Sequence, residues 1–263
     1  MIIGSQLIIF KSIVDSRGGR IMNKKVLMID GSYRRKNTYN ILQQIEKLLK
    51  SEGIDSEIIN LFDYKINDCL GCEACVREAC CGQIDDMAVL MRRILDSDGI
   101  ILGSPVYLNS VSSKFKTFAD RTNTWVHKPE LSGKPLLFAA TTTFTGVKEV
   151  KQFYNSYSNI LGVRKSGFIA RVGPKIKEPV QKKELSRFLT LLNQNKKRYS
   201  PSMDEIVLFT VGKALASKSS DDDHRYWQEK QWLDKSYYYP CRMNPAKKLF
   251  GKFMFKVISK AMM

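Results

Sequence analysis

Histidine is nearly missing from this sequence: His127 and His224 are the only two in 263 residues. A histidine-built metal centre or a Ser/His/Asp relay therefore has almost nothing to draw on, and no Ser/His/Asp arrangement stands out. Both histidines are isolated and read as surface or packing residues. No run reaches the roughly 18 apolar residues of a membrane span. The sequence has neither a Walker lysine signature nor a GxGxxG, which sets aside nucleoside-triphosphatases and Rossmann dinucleotide sites. Internal repeats and low-complexity linkers are absent too. The N-terminal stretch is apolar but lacks a charged region before it and a small-residue cleavage site, so it is a poor signal peptide. Residues 17–22, RGGRIM, can be written in purine-rich codons that resemble a bacterial ribosome-binding site. We therefore expect Met22 to be the initiator and residues 1–21 a translated leader, with an ordinary N-terminal arm as the alternative.

Acidic residues are also scarce, 26 against 43 Lys and Arg, which leaves a formal net charge of +17. A surface of that sign attracts nucleic acid, acidic lipid or anionic cofactors. Without a recognisable nucleic-acid module, no nucleic-acid partner is expected. Hydrophobic content of 43% is ordinary for a globular chain. A chain of this size builds a core that needs no disulfides, which argues against a secreted, cystine-stapled protein. A cytoplasmic location is the expectation.

Apolar runs at 25–30, 57–61, 99–103, 135–141 and within 163–172 alternate with helical patterns over 38–51, 85–95, 112–121 and 148–161. That alternation predicts an α/β fold with a doubly wound, five-stranded parallel sheet over residues 23–195. Residues 196–263 are expected to form a helical or irregular extension. Ligands in such sheets bind at the carboxyl ends of the strands.

Three loops reach that edge. Residues 31–38, GSYRRKNT, combine Gly31 for a tight turn with Ser32, Asn37 and Thr38 as donors, ahead of a helix N-terminus that suits a phosphate. A plain capped helix would read the same way. Residues 103–121 open with GSPVYLN, placing Pro105, Tyr107 and Asn109 where they can offer a face to a planar heterocycle. The third loop, TTTFTG at 141–146, adds hydroxyls and a flexible glycine.

Four cysteines lie in a thirteen-residue window, Cys69, Cys72, Cys75 and Cys81, spaced C-x2-C-x2-C-x5-C, with Cys80 adjoining and Cys241 far away. Thiols this dense are disulfide-bonded, metal-bound or unusually well protected. The spacing favours metal, because a C-x2-C-x2-C run lets one loop wrap three corners of an iron–sulfur cluster. Zinc, a redox disulfide and bare thiols stay open beside it. Asp85 and Asp86 read as the start of a helix, where carboxylates meet the positive end of its dipole, rather than as an acid–base pair.

Taken together, Gly31-Ser32-x-Arg34, Asn37-Thr38, the cysteine window ending in Asp85-Asp86-Met87, Gly103-Ser104-Pro105-x-Tyr107, and Lys116 with Asp120-Arg121 resemble the flavodoxin-fold NADPH-dependent FMN reductases, and within them the iron–sulfur flavoproteins. The resemblance spans about residues 24–175 and implies a flavodoxin-like fold. It implies FMN, with its phosphate on Ser32, Arg34, Asn37 and Thr38. Pro105, Val106, Tyr107 and Asn109 would line the isoalloxazine, with Thr142, Thr143 and Gly146 closing the far side. It also implies a [4Fe–4S] cluster on Cys69, Cys72, Cys75 and Cys81. The flavin would carry the chemistry, so no catalytic side chain is assigned.

The expected function is an FMN-dependent oxidoreductase moving electrons from NAD(P)H or ferredoxin to an unknown acceptor, as a homodimer or homotetramer. Alternatives are a cluster-free NAD(P)H:acceptor (FMN or quinone) reductase and a flavin-binding redox sensor or carrier with little turnover. Residues 246–263 carry Lys248, Lys252, Lys256 and Lys260 opposite an apolar stripe of Leu249, Phe250, Phe253, Val257, Ile258 and Met262. This basic amphipathic helix is expected to pack on its own domain or a sister subunit, with peripheral membrane contact as the alternative.

Overall fold

A computed structural model describes residues 24–78, 80–219 and 222–261; the expected Met22 start and its leader lie outside the described residues. In chain order the sheet domain runs β1 (Lys25–Asp30), α1 (Asn37–Ser51), β2 (Asp55–Asn60), a single helical turn α2 (Ala74–Arg77), α3 (Met87–Leu95), β3 (Gly99–Tyr107), β4 (Ser110–Val111), α4 (Ser113–Asp120), α5 (Thr124–His127), β5 (Pro135–Thr142), α6 (Val147–Ile160), β6 (Arg164–Val172) and α7 (Lys182–Asn193). The extension adds α8 (Met203–Lys218), α9 (Asp222–Glu229) and α10 (Pro245–Ala261).

Five strands pair in parallel in the order β2-β1-β3-β5-β6, and the two-residue β4 folds back antiparallel on the end of β3. This is the doubly wound, flavodoxin-like order, with its switch point between β1 and β3. The expected five-stranded parallel sheet is borne out. The central strands read as continuous apolar runs because helices cover both faces. In β1, Leu27 and Ile29 join one core cluster with Phe115, Phe118 and Phe138, while Val26 and Met28 join another with Ile41, Leu42 and Phe188. Alternate side chains of one strand thus build two separate cores.

Several boundaries shift by a residue or two, β2 among them, and two of the differences bear on the site. Strand β3 continues past residue 103 to Tyr107, with Pro105 opposite Thr141. Strand β1 stops at Asp30, opposite Gly103, so on that side nothing needs the N–H that Pro105 lacks. Helix α3 starts at Met87 rather than Asp85, which turns inward to a different partner described below.

The extension is aromatic. Tyr199, Phe209, Trp227, Trp232 and Tyr237–Tyr239 form a third cluster. It seats on the sheet domain: Trp227 Nε1 donates to the His127 carbonyl at 2.9 Å. A Cβ on Gly162 would lie 2.8 Å from the Tyr238 ring. Both histidines act as packing residues, His127 against Asp223 and His224 against the Ala216 carbonyl, each at 2.8 Å. Helix α10 lies along α8, but its apolar residues divide into two stripes rather than one. Phe250, Met254, Phe255 and Ile258 are half-buried, whereas Leu249, Phe253 and Val257 are exposed.

Candidate functional site

The loop after β1 is locked before it reaches the cavity. Gly31 N–H donates to the Gly103 carbonyl at 2.8 Å, and the Ser112 hydroxyl donates to the Gly31 carbonyl at 2.7 Å. A Cβ on Gly31 would sit 3.0 Å from Phe115 and 3.2 Å from the Gly103 carbonyl, so a side chain there would require Phe115 or the end of β3 to shift. Asp30 is fully buried and accepts from the Ser32 amide (3.0 Å), the Ser32 hydroxyl (2.7 Å) and Asn60 Nδ2 (2.6 Å). Burial pushes the Asp30 carboxyl up, against the pull of its Ser32 and Asn60 donors and of Arg35. Asn60 also donates to the Ser32 carbonyl at 2.8 Å, which ties the turn to the end of β2.

Helix α1 then begins at Asn37 with no side-chain cap at its N-terminus. Its first N–H groups are left for a ligand to satisfy, at the positive end of the helix dipole. The loop's outer side meets the exit of β2 through the Tyr33–Phe62 edge contact (5.2 Å between ring centres) and an Arg35–Asp63 ion pair.

A cavity of about 260 Å³ opens here. Of the sequence-expected residues, the structure brings Ser32, Arg34, Asn37, Thr38, Pro105, Val106, Tyr107, Thr142 and Thr143 onto its wall. Asn109 and Gly146 are not among the wall residues; Gly146 adjoins the wall through Val106. Leu108 and Asn109 have φ of 47° and 59° and form the tight turn between β3 and β4. Gly146 has φ of 89°, and a Cβ there would come 2.5 Å from Val106 Cγ1 and 2.9 Å from Asn109 Cα. Thr142 donates its hydroxyl to the Thr145 carbonyl at 2.8 Å, which closes the third loop on itself, and the Thr145 hydroxyl donates to Asn109 Oδ1 of the second loop at 3.4 Å.

Sequence reasoning missed three wall residues as contacts, Lys36, Thr141 and Ile176. Thr141 was legible as a hydroxyl next to the expected pair, and its Oγ1 lies 2.7 Å from Thr38 Oγ1. Ile176 arrives from the turn after β6, which no local pattern marks. One end of the cavity is basic and rich in N–H donors, and the other presents Pro105, Val106 and the half-exposed Tyr107. This arrangement fits a phosphorylated planar heterocycle.

The cysteine window leaves the same carboxyl edge from β2. Cys69, Cys72 and Cys81 are exposed, Cys75 is half-buried, and all are free thiols. Among the described residues no three His, Cys, Asp or Glu side chains are close enough to hold a metal ion. Local turns and hydrogen bonds shape the segment. Gly71 and Glu73 adopt positive φ, Arg77 bonds the Cys72 carbonyl at 3.0 Å, and Asn123 donates to Cys75 Sγ at 3.3 Å.

Where the window closes, Asp85 forms a buried ion pair with Arg121 at 2.5 Å and accepts from the Asn67 and Met87 amides at 2.8 and 3.0 Å. Burial works against the charged carboxyl, and Arg121 with the two amides outweighs it, so Asp85 titrates below the usual range. The Arg121 guanidinium also faces the Cys81 thiol. Its Nε is buried without a hydrogen-bond partner among the described residues, which favours negative charge nearby. The four thiols and this cation suit an anionic iron–sulfur cluster by donor chemistry, but the thiol positions described do not.

A family model described as NADPH-dependent FMN reductase matches residues 24–166, just over half of the chain. An iron–sulfur flavoprotein of Archaeoglobus fulgidus is 29% identical over 221 residues, 80% of this chain and 100% of that protein. An iron–sulfur flavoprotein of Methanocaldococcus jannaschii is 40% identical over 99 residues, 37% of this chain and 51% of that protein, so here the match spans about half of the relative's length. The crystal structure of RosB with a bound intermediate aligns over 82% of this chain and 83% of that one, at 17% identity and a TM-score of 0.49.

Proposed function

The chain belongs to the NADPH-dependent FMN reductase family, and we propose that it is an oxidoreductase that holds FMN in the cavity at the carboxyl edge, receives electrons from NAD(P)H or ferredoxin and passes them to an acceptor. The observation that carries this reading is the convergence of the Ser32–Thr38 loop, the Pro105–Tyr107 segment and Thr141–Thr143 on one cavity. A phosphate monoester there would meet the uncapped start of α1 and the positive charge of Arg34 and Lys36, and would gain the Ser32 hydroxyl as a donor only if it turned away from Asp30. The ring system would lie along Pro105, Val106 and Tyr107, with the third loop opposite. Bound FMN supplies the redox chemistry; the side chains bind and orient it. Anaerobic addition of NADPH to the FMN-loaded protein should bleach its yellow colour. Protein that stays yellow with NADPH, NADH and reduced ferredoxin alike contradicts the reading.

A second reading concerns the thiols. The names of the curated relatives and the unpartnered Arg121 Nε favour a [4Fe–4S] cluster on Cys69, Cys72, Cys75 and Cys81. Holding it would require the segment between Asn67 and Asp85 to gather its thiols, and no electron step is assigned to it. Iron and acid-labile sulfide analysis of protein purified without oxygen tests this; absence of both leaves the cluster-free NAD(P)H:acceptor reductase.

A further inference from the structure

Helix α10 has three different sides. Its inner side packs on α8, and the approach is close: a Cβ on Gly251 would sit 3.3 Å from Ile206 Cγ2. Its outer side carries Leu249, Phe253 and Val257, spaced four residues apart and 70%, 60% and 45% exposed. Between the two runs a row of exposed lysines, Lys248, Lys252, Lys256 and Lys260, one residue ahead of the stripe or its next position at every turn. A cavity of about 240 Å³ opens between α8 and α10 on the lysine side. There Lys213, Lys235 and Lys247 join three lysines of the row, with Asp234 the one carboxylate among the lining residues. Lys213 donates to the Lys235 carbonyl at 3.0 Å and lies 5.2 Å from the centre of the Phe255 ring. Burial makes its charge costly, holding its pKa below the usual lysine range. The lysines far outnumber the carboxylate facing them, and an apolar stripe adjoins them.

We propose that the outer face of α10 is a docking surface for an anionic phospholipid bilayer, independent of the redox site. The lysine row and the cavity beside it take headgroup phosphates, while Leu249, Phe253 and Val257 enter the boundary between headgroups and acyl chains. Charge complementarity selects this occupant. A second copy would bring like-charged lysine rows together on a chain of net charge +17, whereas an anionic lipid surface neutralises them. A polyanion without an apolar phase would leave the exposed stripe uncovered. Among the described residues no helix is long and apolar enough to cross a membrane, so contact is made in the plane of the surface.

The test is sedimentation of the full chain with phosphatidylglycerol/phosphatidylcholine vesicles and with pure phosphatidylcholine vesicles. Binding should be at least about tenfold stronger to the anionic vesicles and weaken with salt. The triple variant Leu249→Ser/Phe253→Ser/Val257→Ser should lose most binding, and Lys248→Glu/Lys252→Glu/Lys256→Glu should lose the anionic preference. Phe253→Ser alone, at an exposed position, gives a milder loss if the triple variant folds poorly; an unchanged thermal midpoint shows that each variant is folded. Equal binding to both vesicle types, or none, overturns the proposal. So does anionic binding that survives the serine substitutions, which would indicate charge-only attraction of the kind nucleic acid shows. A serine variant that elutes at a smaller assembly size than the parent overturns it in favour of a second copy.

Discussion

Gly146 lies close against Val106 of the cavity wall. At φ of 89° it occupies a region that glycine alone enters freely, and its missing Cβ leaves room for Val106 and the Asn109 backbone. Gly146→Ala should destabilise the fold by about 1–3 kcal/mol. It should also weaken FMN binding at least about tenfold, equivalent to about 1.4 kcal/mol. Thermal melts and flavin fluorescence titration read the two effects. Arg121 illustrates a different dependence. Its side chain and that of Asp85 are 2% and 0% exposed, so removing one strands the other's charge. Arg121→Met should cost about 3–5 kcal/mol in urea denaturation, and adding Asp85→Leu should restore part of the loss. Residue types were largely legible in the sequence: Ser32, Asn37, Thr38 and Pro105–Tyr107 all line the cavity. Partners were less so. Asp85 reads locally as a helix start, and only the fold reveals that Arg121, distant in sequence, claims its carboxylate.

At the scale of elements, alternating apolar runs located every parallel strand, because buried strands and half-buried helices differ in period. The end of β3 was illegible because its continuation depends on β5 being alongside, which no local pattern encodes. The two stripes of α10 merged into one in the sequence, since on a helix they adjoin; the position of α8 separates them. Helix α7 shows how an element is fastened to the sheet. Glu184 accepts from Arg171 of β6 at 2.7 and 3.0 Å and from the Gln181 amide at 2.9 Å, closing the helix N-terminus at the same time. The Arg171 bond holds the Glu184 carboxyl below its ordinary value of 4.5, and the Gln181 amide assists against burial. A depressed folded-state pKa gives stability that is present above the unfolded value and lost as pH falls through the folded one. Glu184→Gln should therefore cost about 1.5–3 kcal/mol at neutral pH. The gap between variant and parent should close below about pH 4.5, as stability curves measured across that range would show.

At the scale of the whole molecule, the extension is fastened to the sheet domain by aromatic rings. Trp227 is 1% exposed, tilts against Phe209, meets Trp232 edge to face, and fills space that Gly212 leaves open, where a Cβ would lie 2.8 Å from its ring. Trp227→Ala should cost about 3–5 kcal/mol, visible in thermal or denaturant unfolding. Aromatic composition announced this tail but not its docking, which depends on Gly133 and Gly162 leaving room for Tyr239 and Tyr238. The cysteine spacing was equally plain, and among the described residues no three of the window's possible ligands stand close enough to hold a metal ion. The central claim is that the uncapped helix start holds the phosphate of FMN while the proline–tyrosine face holds its ring. It is tested most directly by titrating flavin-free protein with FMN and with riboflavin, which lacks the phosphate, and following flavin fluorescence. The account predicts saturable binding of FMN at one site per chain, with riboflavin at least about a hundredfold weaker, equivalent to about 2.7 kcal/mol. Unchanged FMN fluorescence and absorbance, or riboflavin bound as tightly as FMN, would contradict it.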